Sequence, residues 1–305
     1  MTPDAPAIEA HGLVKSYGAG VRALDGLDVR VERGEVFGFL GPNGAGKTTT
    51  IRILLDLLRP DAGQAAVLGM DCQHDSLAVR ARVGYLPGDL SLYPGMSARG
   101  LMALRQRIGD GSVDRAYAQG LCDRLGVALD TPVRELSHGN KQKVGIVLAL
   151  MTRPDLVILD EPTSGLDPLV QHEVLAVLRE VRDEGRTVFF SSHVLSEVER
   201  ICDRVGIIRA GRMVVTESVE DVRQRQVHRV EITFAEPVPE GIFSGIAGVS
   251  GVTVADGSVR LRVEGDLDGV VKAAAAHHVV AMEVAQPSLE EVFMALYHQQ
   301  EGERA

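Results

Sequence analysis

The feature that most constrains this chain is a nine-residue run set between a wholly apolar segment and an amphipathic one. Gly41, Pro42, Asn43, Gly44, Ala45, Gly46, Lys47, Thr48 and Thr49 satisfy G-x-x-x-x-G-K-[ST] at Gly41, Gly46, Lys47 and Thr48. Before the run, Val-Phe-Gly-Phe-Leu at residues 36–40 has the continuous apolar character of a buried parallel strand. After it, Ile51, Leu54, Leu55 and Leu58 recur at the spacing of one helix face, which predicts a helix from Thr48 to Leu58, broken at Pro60 and Gly63. Strand, glycine-rich turn and helix N-terminus in that order make an anion site, because unpaired backbone N–H groups and the helix dipole both face the turn. Lys47 is then expected to reach the β- and γ-phosphates of a nucleotide, and the Thr48 hydroxyl to ligate Mg²⁺. The run contains no G-x-G-x-x-G, so a dinucleotide fingerprint is excluded.

A phosphate loop alone leaves kinases, GTPases, helicases and transporters open. A second apolar run, Leu156 to Leu159, ends in Asp160 and Glu161, followed by Pro-Thr-Ser-Gly-Leu-Asp to Asp167. Open α/β sheets bind ligands at the carboxyl edge of their strands, where both acids emerge. Asp160 is expected to hold the magnesium shell. Glu161, one residue on and directed to the other face of the strand, is the candidate to orient and deprotonate an attacking water.

Upstream of that strand lies the turn Leu136, Ser137, His138, Gly139, Asn140. With these elements in this order, the chain from Tyr17 to His193 resembles the ATP-binding subunit of an ABC transporter. The resemblance implies an α/β fold: a P-loop NTPase core of ABC-ATPase type with a helical subdomain, plus a small α+β C-terminal domain. It implies that two subunits sandwich two ATP molecules, each held by one subunit's phosphate loop and the other's signature turn at Ser137, His138, Gly139 and Asn140. The family's commoner signature is LSGGQ. Here the serine and second glycine are kept, while His138 and Asn140 depart in the manner of the drug-exporter branch. By the same resemblance Tyr17 stacks on adenine, Asp167 couples the sites across the dimer, and His193, after the apolar run 187–192, contacts the γ-phosphate. Lys47, Glu161 and His193 are thus the expected catalytic set, with Thr48 and Asp160 as metal ligands and Mg²⁺ with ATP as the cofactor. One departure is larger. Where the family places a Gln contacting Mg²⁺ and the attacking water, this chain has Gly88, with Asp89 beside it. Just beyond, Leu92, Tyr93 and Met96 are expected to be exposed and to meet a membrane partner.

The organisation follows the motifs. Residues 1–220 read as the ATPase domain, with helical spacing over about 87–152, and 225–305 as an accessory domain. In the latter, alternation on both sides of Asp256-Gly257 predicts a hairpin, and Ser288 with Glu291 predicts a capping box opening a final helix. Its expected role is dimer support, tuning or permease contact, or stabilisation alone. A formal net charge of −10 over 305 residues argues against a nucleic-acid partner held by a basic field. No apolar run approaches the roughly 20 residues of a membrane span, and the first residues lack a signal-peptide pattern. Cys72, Cys122 and Cys202 are scattered, as expected of reduced thiols. The reading that results is an ATP-hydrolysing subunit on the cytoplasmic face of the membrane, working through a separately encoded polytopic permease. It would act as a homodimer or paired with a second ATPase subunit, and would energise export of a drug, antibiotic or other small hydrophobic compound. The alternative is a soluble ABC ATPase acting on ribosomes or DNA.

Overall fold

The computed structural model describes residues 5–18, 20–108, 113–224, 227–239, 241–255 and 257–285. The chain divides into two compact units, Met1–Ser218 and Val219–Ala305.

In the first unit β1 (Ile8–Tyr17) and β2 (Val21–Val31) pair antiparallel. β3 (Val36–Leu40) leads through the phosphate loop into α1 (Lys47–Leu54). β4 (Ala62–Val67) and β5 (Met70–Asp71) extend the first sheet, in the order β2-β1-β4-β5. After α2 (Ser76–Arg82) come β6 (Val83–Leu86), then α3 (Ala98–Ile108), α4 (Arg115–Leu125) and α5 (His138–Leu150). β7 (Leu156–Asp160), α6 (Pro168–Asp183), β8 (Thr187–Ser192), α7 (Leu195–Ile201), β9 (Arg204–Arg209) and β10 (Arg212–Ser218) complete the unit.

Six of these strands form the second sheet, in the order β10-β9-β3-β8-β7-β6. β9, β3, β8, β7 and β6 run parallel, and β10 returns antiparallel at the edge. Every residue of β3, β7 and β8 is buried, which is why these strands read as unbroken apolar runs: a parallel sheet is covered on both faces. Phe37, Phe39 and Phe189 pack together between the strands, with ring centroids 5.8 Å and 5.3 Å apart. The register has a functional consequence. Leu40 stands beside Ser192, and Asp160 beside Ser191, so three strands far apart in sequence end together at one edge.

Three expectations are corrected. The helix after the phosphate loop ends at Leu54 rather than Leu58. Asp56 adopts a left-handed conformation (φ +50°), and the N–H groups of Asp56 and Leu57 donate to the carbonyls of Ile53 and Arg52. That is a Schellman-type stop, normally built on Gly, and it needs no sequence breaker. Of Leu92, Tyr93 and Met96, expected to be exposed, only Tyr93 is. Leu92 and Met96 pack against the cluster of Ala98, Leu101, Val133, Leu136 and Val144 that forms the interior of the helical segment. The opposed directions of Asp160 and Glu161 do not come from strand alternation either. β7 ends at Asp160, and Glu161 turns away by a left-handed φ of +51°.

The second unit begins with α8 (Val219–Gln224), followed by β11 (Val227–Phe234), β12 (Val249–Ala255), β13 (Ser258–Glu264), α9 (Asp268–Ala274) and β14 (Val279–Ala285). The strands form an antiparallel sheet in the order β12-β13-β11-β14. One face is apolar, with Val230, Ile232 and Phe234 beside Val259, Leu261 and Val263, and Val270, Ala274 and Phe243 cover it. Ala255 pairs with Ser258, as the expected hairpin requires, and Gly257 has φ +78°. Asp256, and the final helix expected from Ser288 onward, lie outside the described residues.

Candidate active site

The phosphate loop is held by its glycines. A Cβ on Gly41 would fall 2.5 Å from the Ile208 carbonyl oxygen, and one on Gly46 would fall 2.6 Å from that of Ala23. Gly46 also has φ +114°, a conformation that L side chains rarely adopt. α1 opens directly from Gly46, which directs the helix N-terminus at the loop. Lys47 is 94% buried by the loop and donates from Nζ to the Gly41 and Pro42 carbonyls at 2.6 and 3.3 Å. A buried ammonium must be paired, and its charge partner is Glu161 Oε1 at 3.6 Å.

Thr48 and Asp160, 112 residues apart in the chain, are joined by a 2.7 Å hydrogen bond from Thr48 Oγ1 to Asp160 Oδ2. The other Asp160 oxygen accepts from the Ser191 hydroxyl. Asp160 is buried at the strand end, so its geometry is fixed by β8 on one side and α1 on the other. Ser191 was not singled out from the sequence; only the pairing of β7 with β8 identifies it. Glu161, in its strained backbone conformation, extends into the cleft, and its N–H donates to Ser191. A non-Gly residue held at positive φ costs about 1–3 kcal/mol and persists only where its surroundings over-determine it. Glu161 Oε1 lies 3.2 Å from His193 Nδ1, so Lys47, Glu161 and His193 form one contiguous chain of contacts.

Tyr17 stands at the end of β1 with its hydroxyl 3.5 Å from Thr49 Oγ1. With Val21, Arg22, the phosphate loop and Glu161 it lines a cleft of about 300 Å³. Gly88 approaches Asp160 closely: a Cβ there would lie 3.1 Å from Asp160 Oδ2. Any side chain at this position therefore starts beside the carboxylate. Burial, and secondarily the Asp160 charge, push the neighbouring Tyr85 hydroxyl above its ordinary range.

The signature turn is not in this cleft. Ser137 is the N-cap of α5, its Oγ accepting from Asn140 N at 3.3 Å. A Cβ on Gly139 would fall 2.7 Å from the Gly165 carbonyl oxygen, and one on Gly165 would collide with the His138 ring. Asp167 caps α6, accepting from Val170 N at 3.1 Å, with Pro168 at the first helical position. Ser137, His138, Gly139, Asn140 and the Asp167 loop thus make one exposed patch, while Tyr17, the phosphate loop, Asp160, Glu161 and His193 gather separately around the cleft. Sequence reading also missed Gln142. Its buried amide donates to the Glu161 and Pro162 carbonyls at 3.1 and 3.2 Å and ties α5 to the backbone of the strained acid. A single glutamine inside a largely buried helix carried no local signal of that contact.

Comparison with known proteins agrees with this geometry. The ABC transporter family matches residues 24–164. The daunorubicin resistance ATP-binding protein DrrA3 of Streptomyces coeruleorubidus is 37% identical over 95% of each chain. The linearmycin resistance ATP-binding protein LnrL of Bacillus subtilis is 30% identical over 95% of this chain and 97% of its own. Among solved structures, an ATP-binding subunit of an ABC transporter superposes with a TM-score of 0.65 at 30% identity, covering 72% of this chain and 92% of that one. Similarity to relatives over nearly their whole length, with a phosphate loop and paired acids brought to one sheet edge, means that this chain belongs to the ATP-binding proteins of ABC transporters, whose members hydrolyse ATP to power transport.

Proposed function

We propose that this chain energises an exporter of a drug, antibiotic or other small hydrophobic compound, and that the cleft at Gly41–Thr49 is its hydrolytic site. The observation that carries the reading is the placement of Glu161 Oε1 between Lys47 and His193, beside the Thr48–Asp160 pair. Tyr17 offers a ring to adenine, and the loop N–H groups with Lys47 receive the phosphates. Glu161 accepts the proton of the attacking water, and His193 donates to the γ-phosphate. A hydroxyl and a carboxylate oxygen 2.7 Å apart are the hard donors Mg²⁺ prefers. When bound, the ion neutralises charge on the phosphates. Ser137, Gly139 and Asp167 lie on the face that meets a second subunit, either another copy or a different ATPase.

Among the described residues no helix is long and apolar enough to cross a membrane; in the proposed reading the chain works through a separate polytopic permease, at the cytoplasmic face of the membrane. A groove of about 390 Å³ lined by Leu57, Tyr85, Leu92, Tyr93, Leu104 and Ile108 is the surface proposed to receive a cytoplasmic helix of that permease. The resistance proteins among the relatives favour this reading over an ATPase acting on ribosomes or DNA. Glu161→Gln tests it. Loss of a positioned base lowers hydrolysis by about 10²–10⁴-fold while ATP binding persists, and in mild detergent with Mg-ATP a polytopic membrane protein should co-purify at equal copy number. Unchanged hydrolysis would remove Glu161 from its role. Recovery with ribosomes or DNA instead would refute the transport reading.

A further inference from the structure

Glu197 on α7 is buried, yet nothing in the hydrolytic reading uses it. A buried carboxylate is costly unless its oxygens are satisfied. Here each oxygen takes one hydroxyl: Thr163 donates to Oε1 at 2.5 Å and Ser192 to Oε2 at 2.7 Å. These two donors belong to different functional segments. Ser192 immediately precedes His193, and its hydroxyl also accepts from Val194 N at 2.9 Å, so the residues flanking His193 are fixed to each other. Thr163 lies in the turn between Glu161 and Asp167, where Ser164 N donates to the Glu161 carbonyl and Leu166 N to that of Thr163. Gln171 on α6 supports the same turn through the Leu166 carbonyl at 3.1 Å. Glu197 is therefore a buried side chain bridging the turn that follows the catalytic acid to the end of the strand that carries His193.

Resting on the reading of Glu161 and His193 given above, we propose that Glu197 is a positioning residue. It transmits the state of the His193 segment, at the γ-phosphate, to the Thr163–Asp167 turn on the face that meets the second subunit. Movement of Ser192 by a few tenths of an ångström pulls on Thr163 through one carboxylate, because hydroxyl–carboxylate bonds are short and charge-assisted. Gln142 and Gln171 hold only backbone carbonyls of the turn, so neither can replace this link to β8.

The test uses the full-length chain and measures hydrolysis against ATP concentration, nucleotide binding and the Hill coefficient. Glu197→Ala should lower kcat by about 10- to 100-fold, the scale of misplacing a reacting group, leave KM and nucleotide binding within about twofold, and bring the Hill coefficient towards one. Glu197→Gln should recover most of the loss, since a carboxamide can accept from one hydroxyl and donate to the other. Thr163→Val should act in the same direction as Glu197→Ala while keeping the carboxylate. Wild-type kcat and Hill coefficient in Glu197→Ala would overturn the proposal. So would equal damage in the Ala and Gln variants accompanied by loss of nucleotide binding. If Glu197→Ala does not fold, Thr163→Val decides, and wild-type cooperativity there overturns it. Glu161→Gln run in parallel keeps the two readings apart: retained hydrolysis in that variant counts against the site itself, not against the bridge.

Discussion

Gly88→Gln probes the expectation that Gly88 stands where the family places a Gln. Gly88 is not among the positive-φ residues, so a side chain adds no left-handed strain. Its Cβ would sit 3.1 Å from Asp160 Oδ2 and 3.2 Å from Cγ, close enough that the neighbours must give by a few tenths of an ångström. That adjustment costs about 1 kcal/mol, the low end for overpacking, and the lost backbone freedom of the unfolded chain returns about 0.4–1 kcal/mol. Stability should therefore stay within about 1 kcal/mol of the parent. The carboxamide starts beside Asp160 and adds a neutral donor and acceptor near the proposed path of the attacking water. One new hydrogen bond made in the transition state is worth about 0.5–1.5 kcal/mol, or about 2- to 10-fold in rate. The assay is steady-state phosphate release by the purified chain, with nucleotide binding followed separately, and Gly88→Ala reports the effect of the Cβ alone. The expected result is retained binding and raised basal hydrolysis in the Gln variant but not in Ala. Abolished nucleotide binding in Gly88→Gln would refute the assignment of this loop. An equal rise in Ala would refute the role given to the carboxamide.

Two further outcomes are expected. Gly46→Ala combines φ +114° with a Cβ 2.6 Å from the Ala23 oxygen, so it should cost about 2–6 kcal/mol from strain and overlap together; nucleotide binding and thermal unfolding measured side by side check this, and unchanged values in both would contradict the loop geometry. All three thiols are buried and unpaired, and burial pushes Cys72 up to about 12 and raises Cys122 and Cys202. A disulfide reagent at pH 8 should therefore find no fast thiol in the folded protein and all three after denaturation, whereas a fast thiol in the native state would show that one of these sites opens.

The local parts of the site were legible because each is written in neighbouring residues. The phosphate loop announces itself by glycines that its turn requires. Val36–Leu40, Leu156–Asp160 and Thr187–Ser192 announce themselves as strands buried on both faces, with acids or histidine placed just past their ends. Periodicity failed where a backbone conformation intervened, as at Asp56, which ends α1 early without Gly or Pro. It also failed where burial depends on distant partners, as for Leu92 and Met96.

By itself, then, the sequence determined which segments are strands, which glycine-rich turn opens a helix and which side chains are candidates for hydrolysis, since backbone sterics and the repeat of apolar residues act over a few positions. The tertiary structure alone decided that β3, β8 and β7 are neighbours, with Leu40 beside Ser192 and Asp160 beside Ser191. From that adjacency come the Thr48–Asp160 bond, the Ser191 support and the Glu197 bridge. Strand order is set by which faces can be buried together across the whole chain, and no local pattern encodes it.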